Sequence, residues 1–237
     1  MNIALDSKIR VVIDLQGFQR IGNRKRGIGR YSLELIRSLI NNYPQNEYVL
    51  FANASLYNFS DYFSEELNSK RFNVSYFEWS PVGEINEDLI SCYSKNSISI
   101  QIRSYALSLI HADLILLTSF FDGFKDNTLI DFDDSYNLPP IVAIIYDLIP
   151  LIQSSDYLDI DEEYKYFYLG KIQYLNKIDA LLTISESSKK EILKYTDFDP
   201  EKVFNISAAC DNHLFQKNKI SCSESPFNTK DFGDFLL

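Results

Sequence analysis

Histidine is scarce in this chain. His111 and His213 are the only two, and neither sits at metal-ligand spacing from a Cys, Asp or Glu. No Gly-x-Ser-x-Gly elbow is present and no serine has an evident histidine partner, so a hydrolase triad has no support. His111 falls between a helical and a strand pattern and reads as a surface residue. Cysteine is nearly as rare: Cys92, Cys210 and Cys222 are odd in number and form no Cys-x-x-Cys pair. That fits a reducing compartment better than a disulfide scaffold or a zinc site. No apolar run approaches the roughly 20 residues that span a bilayer. The opening MNIALDSKIR lacks the apolar core and small-residue cleavage site of a signal peptide, so the expected location is cytoplasmic. Positive charge is also short, at 23 Lys+Arg against 33 Asp+Glu, and a net charge of −10 argues against nucleic acid as the main ligand. The acidic run Asp131-Phe132-Asp133-Asp134 lacks the spacing of a calcium loop and reads as a solvated loop.

What is present is apolar and aromatic: 46% hydrophobic residues with 14% aromatics are ample for a packed core. Against the acidic balance stands one basic stretch, in which Arg20, Arg24, Lys25, Arg26 and Arg30 crowd around Gly22, Gly27 and Gly29. It follows the apolar run Ile9–Leu15 and precedes Ile28, Tyr31, Leu35 and Leu39, whose spacing is that of an amphipathic helix. A strand, a glycine loop and a helix start aim free backbone N–H groups at an anion. A solvated basic loop is the plain alternative, since an isolated glycine motif is weak evidence. Gly29 is expected where the backbone needs positive φ and close ligand approach.

Short apolar runs alternate with helical patterns. The strands expected are Ile9–Leu15, Glu47–Ala52, Asn73–Phe77, Asp113–Leu117, Ile141–Ile145, Ala180–Ile184 and Val203–Ile206. A helix over 86–110 is expected to bury Ile98, Ile102, Tyr105, Ala106 and Leu109, and the next to bury Tyr164, Phe167, Tyr168, Lys171, Ile172 and Leu175. Ser185 reads as an N-cap with Glu186 in the first turn. This alternation predicts an α/β fold, a Rossmann-like parallel sheet with helices on both faces. Residues 1–210 form the expected domain, 211–232 a linker, and 233–237 the first residues of a further strand.

In open parallel sheets ligands bind in the loops that follow the strands. Those loops begin Gln16-Gly17, Thr118-Ser119-Phe120-Phe121-Asp122-Gly123, Tyr146-Asp147, Ser185-Glu186 and Ser207-Ala208. Asp147 follows an apolar strand, and Pro150 ends its loop sharply. Its carboxylate suits sugar hydroxyls or the orientation of a neighbour; capping its own turn is the other reading.

The segments RVVIDLQGFQ, RGIGRYSLELIRSL, TSFFDGF, IYDLIPLI, YFYLGKIQYLNKIDALLTISESSKKEIL and VFNISAACDNHLF follow one another in order from about Arg10 to Phe215. Together they resemble the N-terminal half of family 4 retaining glycosyltransferases, and most of all bacterial mannosyltransferases of O-antigen and related surface polysaccharides. The resemblance implies one half of a two-domain GT-B architecture, with the acceptor received here and most of the sugar-nucleotide held by a C-terminal half. It implies transfer of a hexose, mannose, from a nucleotide sugar such as GDP-mannose, with retention and without metal or other cofactor. The acceptor implied is a glycan or a polyprenyl-diphosphate-linked one. Gly27, Gly29 and Arg30 would approach the donor phosphates. Tyr146 and Asp147 stand where many members have His-Asp and are the catalytic candidates. Ser119, Asp122, Ser185 and Glu186 would face the acceptor. Arg24, Lys25 and Arg26 would meet the pyrophosphate or anionic lipid, giving peripheral membrane contact. The competing expectation is a non-catalytic Rossmann-like binding module or partner subunit using the same loops.

Overall fold

The computed structural model describes residues 8–24, 27–83, 85 and 92–208. The expected linker at 211–232 and the strand start at 233–237 lie outside them, as do Lys25, Arg26 and the side chain of Arg24. In chain order the elements are β1 (Arg10–Asp14), the short helices α1 (Gln16–Gln19) and α2 (Ile21–Arg24), α3 (Gly27–Asn42), β2 (Glu47–Asn53), α4 (Ser64–Asn68), β3 (Asn73–Trp79) and α5 (Cys92–Ser108). They continue as β4 (Leu114–Leu117), β5 (Ile141–Ile145), α6 (Ile149–Ile152), α7 (Ser154–Tyr157), α8 (Glu162–Tyr174), β6 (Ala180–Thr183), α9 (Glu186–Tyr195) and β7 (Val203–Asn205).

The strands form one sheet in the order β3-β2-β1-β4-β5-β6-β7, and every pairing is parallel. All seven expected strands are there. Their composition explains their place: Val11 to Asp14 of β1 and Ile115 to Leu117 of β4 are buried because central parallel strands are covered on both faces. The edge strand β3 is instead exposed or half-buried along its length, with Trp79 alone of its residues buried. Side chains of period two divide the core into two layers. Val12, Val49 and Phe51 join one with Leu107, Leu175 and Ile192; Val11, Ile13 and Leu50 join the other with Ile36, Ile40, Phe59 and Phe63.

Helix starts follow local chemistry. The Asp161 carboxylate accepts from Tyr164 N at the start of α8, with Glu162 and Glu163 in the first turn. Ser185 caps α9 by accepting from Ser188 N, as expected. In α3 the deepest stripe is Gly29, Ser32, Ile36 and Ile40, one position on from the expected Ile28, Tyr31, Leu35 and Leu39, which are half-buried at its margin.

Helix α5 corrects the sequence reading in part: of the residues expected on its buried face, Ala106 is buried and Ile102 packs against the core. Ile98 and Tyr105, with Leu109 just past the helix, stand 48%, 53% and 51% exposed, while Ser99, Arg103, Ser104 and Leu107, followed by Ile110, are buried. The cause is an ion pair: Arg103 Nη2 donates to Asp14 Oδ2 at 2.6 Å with both side chains buried. Pairing a buried Asp14 turns the helix face toward its guanidinium rather than toward the most apolar stripe. Residues 86–91 of the expected helix lie outside the described residues. His111 is exposed, as expected, in a left-handed turn of φ 51° before β4. Of the acidic run, Asp131 pairs with Lys171 and Asp134 with Lys177.

Candidate functional site

The strand order reverses direction between β1 and β4, and in such sheets the crevice lies beyond the carboxyl ends of those strands. Here protein fills that point. Asp14, the last residue of β1, accepts from Gln16 N (2.9 Å) and from Gln16 Nε2 besides its bond to Arg103. Gln16 Nε2 also donates to Leu129 O, and its Oε1 accepts from Asn53 Nδ2 and Leu129 N. Gln19 exchanges two bonds with the Asn53 backbone. Arg103 Nη1 reaches the carbonyls of Ile130 and Asp131. These buried polar groups weld the loops after β1 and β2 to the segment around Leu129, and each bond made there avoids a desolvation cost. Beside them Gly17 lies so close to the next loop that a Cβ would come within 2.4 Å of Ser119 Cβ.

The opening is displaced toward β5. A cleft of about 110 Å³ is lined by Ser119, Phe120, Phe121 and Asp122 after β4, and by Ile144, Tyr146, Asp147 and Pro150 around the end of β5. Ile28 of α3 and Tyr164 and Tyr168 of α8 complete it. Its walls are aromatic. Phe121 stacks on Tyr168 with ring centres 4.7 Å apart and planes 11° from parallel, and Tyr164 packs between Tyr168 (5.9 Å) and Phe124 (4.9 Å). Aromatic faces beside a few fixed polar groups suit a ring with one apolar face and hydroxyl edges.

Four of the expected site residues, Ser119, Asp122, Tyr146 and Asp147, therefore share one cleft. Their partners differ. Asp122 is buried and engaged: Arg20 Nη1 donates to Oδ1 at 2.7 Å, and Asn23 Nδ2 donates to both oxygens. Arg20 Nε also meets Asp126 at 2.5 Å, so this arginine of the basic stretch turns inward to carboxylates rather than outward to a ligand. The Tyr146 hydroxyl shares a bond with Ser32 Oγ (2.9 Å) and donates to Thr118 O (3.1 Å), tying β5 to α3 and β4. Burial pushes its ionisation far above the ordinary tyrosine range, so it remains a protonated structural donor. Asp147 is exposed in the cleft, and its Oδ1 accepts from Ile149 N at 3.1 Å. The cleft position and the turn cap thus coexist.

Ser185 and Glu186 do not line the cleft. Ser185 caps α9 and bonds Ser188, whose Oγ in turn donates to Tyr146 O at 2.7 Å; Glu186 accepts from Asn205 Nδ2 at 3.3 Å. Gly27 and Gly29 lie in the first turn of α3, flanking cleft residue Ile28, with Arg30 exposed beyond them. Gly29 is helical and not at positive φ, which overturns that expectation; the left-handed glycines among the described residues are Gly83 and Gly123. Tyr164 and Tyr168, which periodicity assigns to the core face of α8, are cleft residues that the sequence did not reveal. Nor did it reveal the Asp14–Arg103 pair, whose one signal is a carboxylate closing the apolar run Val11–Ile13. Among the described residues no three His, Cys, Asp or Glu side chains converge as metal ligands, and no helix is long and apolar enough to cross a membrane.

No family model matches the chain. It is 28% identical over 209 residues, 85% of its length, to a serotype-specific mannosyltransferase WbdA of Escherichia coli, and spans 24% of that protein. A second WbdA of Escherichia coli is 34% identical over 108 residues, 45% of this chain and 13% of that one. The chain thus spans about a quarter or less of the length of the relatives it matches. Among solved structures, the apo form of the lipopolysaccharide outer core galactosyltransferase WaaB aligns over 86% of this chain and 46% of its own, at 10% identity and a TM-score of 0.47. A glycotransferase of kitacinnamycin aligns with a TM-score of 0.42. In sequence, then, the chain is similar to serotype-specific mannosyltransferases over a region that folds as a Rossmann-like parallel sheet.

Proposed function

We propose that this chain is the acceptor-side part of a retaining glycosyltransferase that moves mannose from GDP-mannose to a glycan or polyprenyl-diphosphate-linked acceptor in surface polysaccharide synthesis. The observation that carries the reading is the 209-residue similarity to a serotype-specific mannosyltransferase. The cleft supports it: an aromatic wall and the exposed Asp147 carboxylate at the carboxyl edge of the sheet suit a hydroxyl-rich acceptor. In this reading Asp147 accepts a hydrogen bond from the acceptor. Tyr146 positions it by fixing the end of β5, and the first turn of α3, with Gly27, Gly29 and Arg30, approaches the donor phosphates. The leaving diphosphate helps deprotonate the acceptor hydroxyl on the face from which it departs. Lys25 and Arg26, with Arg24, would meet the pyrophosphate of a lipid-linked acceptor.

The donor-holding half belongs, in this reading, to a second Rossmann-like domain beyond the described sheet. The test is product formation from labelled GDP-mannose and an α-mannobiose acceptor. The expected result is no measurable transfer by the 237 residues alone and transfer when a donor-side half is joined to them. Robust turnover by the chain alone would overturn the division of labour; absence of transfer in every joined form would overturn the activity.

A further inference from the structure

Helix α9 holds the backbone on both sides of Asp147. On one side the carbonyl of Tyr146 accepts from Ser188 Oγ at 2.7 Å, and Ser188 is buried. On the other side the amide of Leu148 donates to Glu191 Oε2 at 3.3 Å. Ser188 and Glu191 stand at i and i+3, which puts them on one face of the helix. The direction of the Ser188 bond is set by its neighbour. Ser185 Oγ accepts from Ser188 N and lies 2.9 Å from Ser188 Oγ. Because Ser188 gives its single hydroxyl proton to Tyr146 O, the proton between the two hydroxyls belongs to Ser185. Glu191 is held in turn by Ser187 Oγ at 3.4 Å. Between these two anchors the Leu148 side chain is fully buried and Asp147 is exposed, with its Oδ1 accepting from Ile149 N.

We propose that Ser188 and Glu191 are positioning residues: by holding the peptide groups before and after Asp147, they fix the direction in which its carboxylate meets the acceptor hydroxyl. This rests on the reading of Asp147 as the hydrogen-bond partner of the acceptor. It gives α9 a part in the site although none of its residues lines the cleft. The physical reason is that Asp has a short side chain whose allowed rotamers depend on the backbone that carries it. With the Tyr146 carbonyl and the Leu148 amide unheld, both peptide planes could turn about Asp147 and carry the carboxylate with them. A contact group has to be kept within about 0.5 Å of its working position, and supporting hydrogen bonds of this kind do that. Ser185, expected at the acceptor, then acts through Ser188 rather than by contact.

The test uses the 237-residue chain and measures two things: the χ1 rotamer population of Asp147 from NMR side-chain couplings, and the affinity for α-mannobiose by calorimetry. Thermal unfolding is followed alongside. Ser188→Ala and Glu191→Leu should each turn a single Asp147 rotamer into a mixture and weaken mannobiose about three- to tenfold, the worth of one net hydrogen bond. Ser188→Thr keeps the hydroxyl and Glu191→Gln keeps an acceptor oxygen, so each should restore what its partner variant loses. A purely structural role would lower the melting temperature and leave the Asp147 rotamer of the folded protein unchanged, and that result overturns the proposal. So does failure of Glu191→Gln to restore the rotamer, which would assign the effect to charge rather than to the bond. If Ser188→Ala does not fold, the two Glu191 variants decide. Mannobiose binding that is absent in wild type, or unchanged by Asp147→Ala, overturns the acceptor reading instead. The rotamer thus judges the positioning and the sugar affinity judges the site, so the two readings fail by different measurements.

Discussion

Gly17 does in one residue what a longer loop would otherwise need to do: it lets the turn after β1 touch the turn after β4. An added Cβ would sit 2.4 Å from Ser119 Cβ, and 3.1 Å from both Ser119 N and Thr118 Oγ1. Two of these three neighbours are backbone or attached directly to it, so rotation of a side chain relieves little. Gly17→Ala should therefore cost about 1–3 kcal/mol, the range for overpacking a close contact. Urea unfolding would measure it, and an amide shift at Ser119 and Asp122 should accompany it. Gly27 is the contrast, with nothing within 4 Å of a Cβ, so Gly27→Ala should unfold like wild type. Equal stability of the two variants would refute the close-packed account of the β1–β4 junction.

Among the elements, α5 shows where packing departs from pattern. Its apolar residues Ile98 and Tyr105, and Leu109 just past its end, are half-exposed, while Arg103 occupies the interior beside Ala106 and Leu107. Arg103→Leu leaves Asp14 buried without its cation and should cost about 3–5 kcal/mol, whereas Arg103→Met with Asp14→Leu should recover much of that. Replacing Ile98 and Leu109 together by Ser should change stability by less than about 1 kcal/mol, given about 0.5 for each surface site. Denaturant midpoints check all three; a large loss from the Ile98/Leu109 pair would restore the apolar stripe as the buried face. The same case shows what was legible in the sequence. The strands could be read because each is a short apolar run bounded by polar or turn residues, and central burial makes that signal local. Ser119, Asp122, Tyr146 and Asp147 could be read because a strand end already places them. Arg103 could not, since hydrophobic periodicity carries no term for a carboxylate supplied 89 residues away. Tyr164 and Tyr168 had the periodicity of core residues, and only the tertiary position of α8 shows that part of that face forms a cleft wall.

On the scale of the whole molecule, the aromatic content becomes a pH liability. Burial, with the charge and hydrogen bond of Glu78, pushes Tyr76 up to about 12, and burial raises Tyr146, Tyr168 and Tyr174 further still. A raised value in the folded state means that folding favours the protonated phenol. That stabilisation is complete below the unfolded value of about 10 and is lost as pH rises toward the folded values. The chain should therefore show little change in stability from these groups between about pH 6 and 9, then unfold cooperatively above about pH 10. Phenolate absorbance and loss of circular dichroism should rise together in that transition. Ionisation of these tyrosines near pH 10 with the secondary structure intact would contradict their burial.

The uniform strand direction also gives the molecule two unlike ends. His111 sits before β4, at the edge where strands begin, and the cleft opens at the edge where they finish. Because His111 is exposed and already in a left-handed turn, a coupling handle placed there leaves the cleft untouched. Attached to a sensor surface through that corner, every molecule would present its cleft to the flowing solution, whereas attachment near Ser207 would press it against the support. The polarity of the sheet thus becomes a practical rule for orienting the protein in a binding measurement.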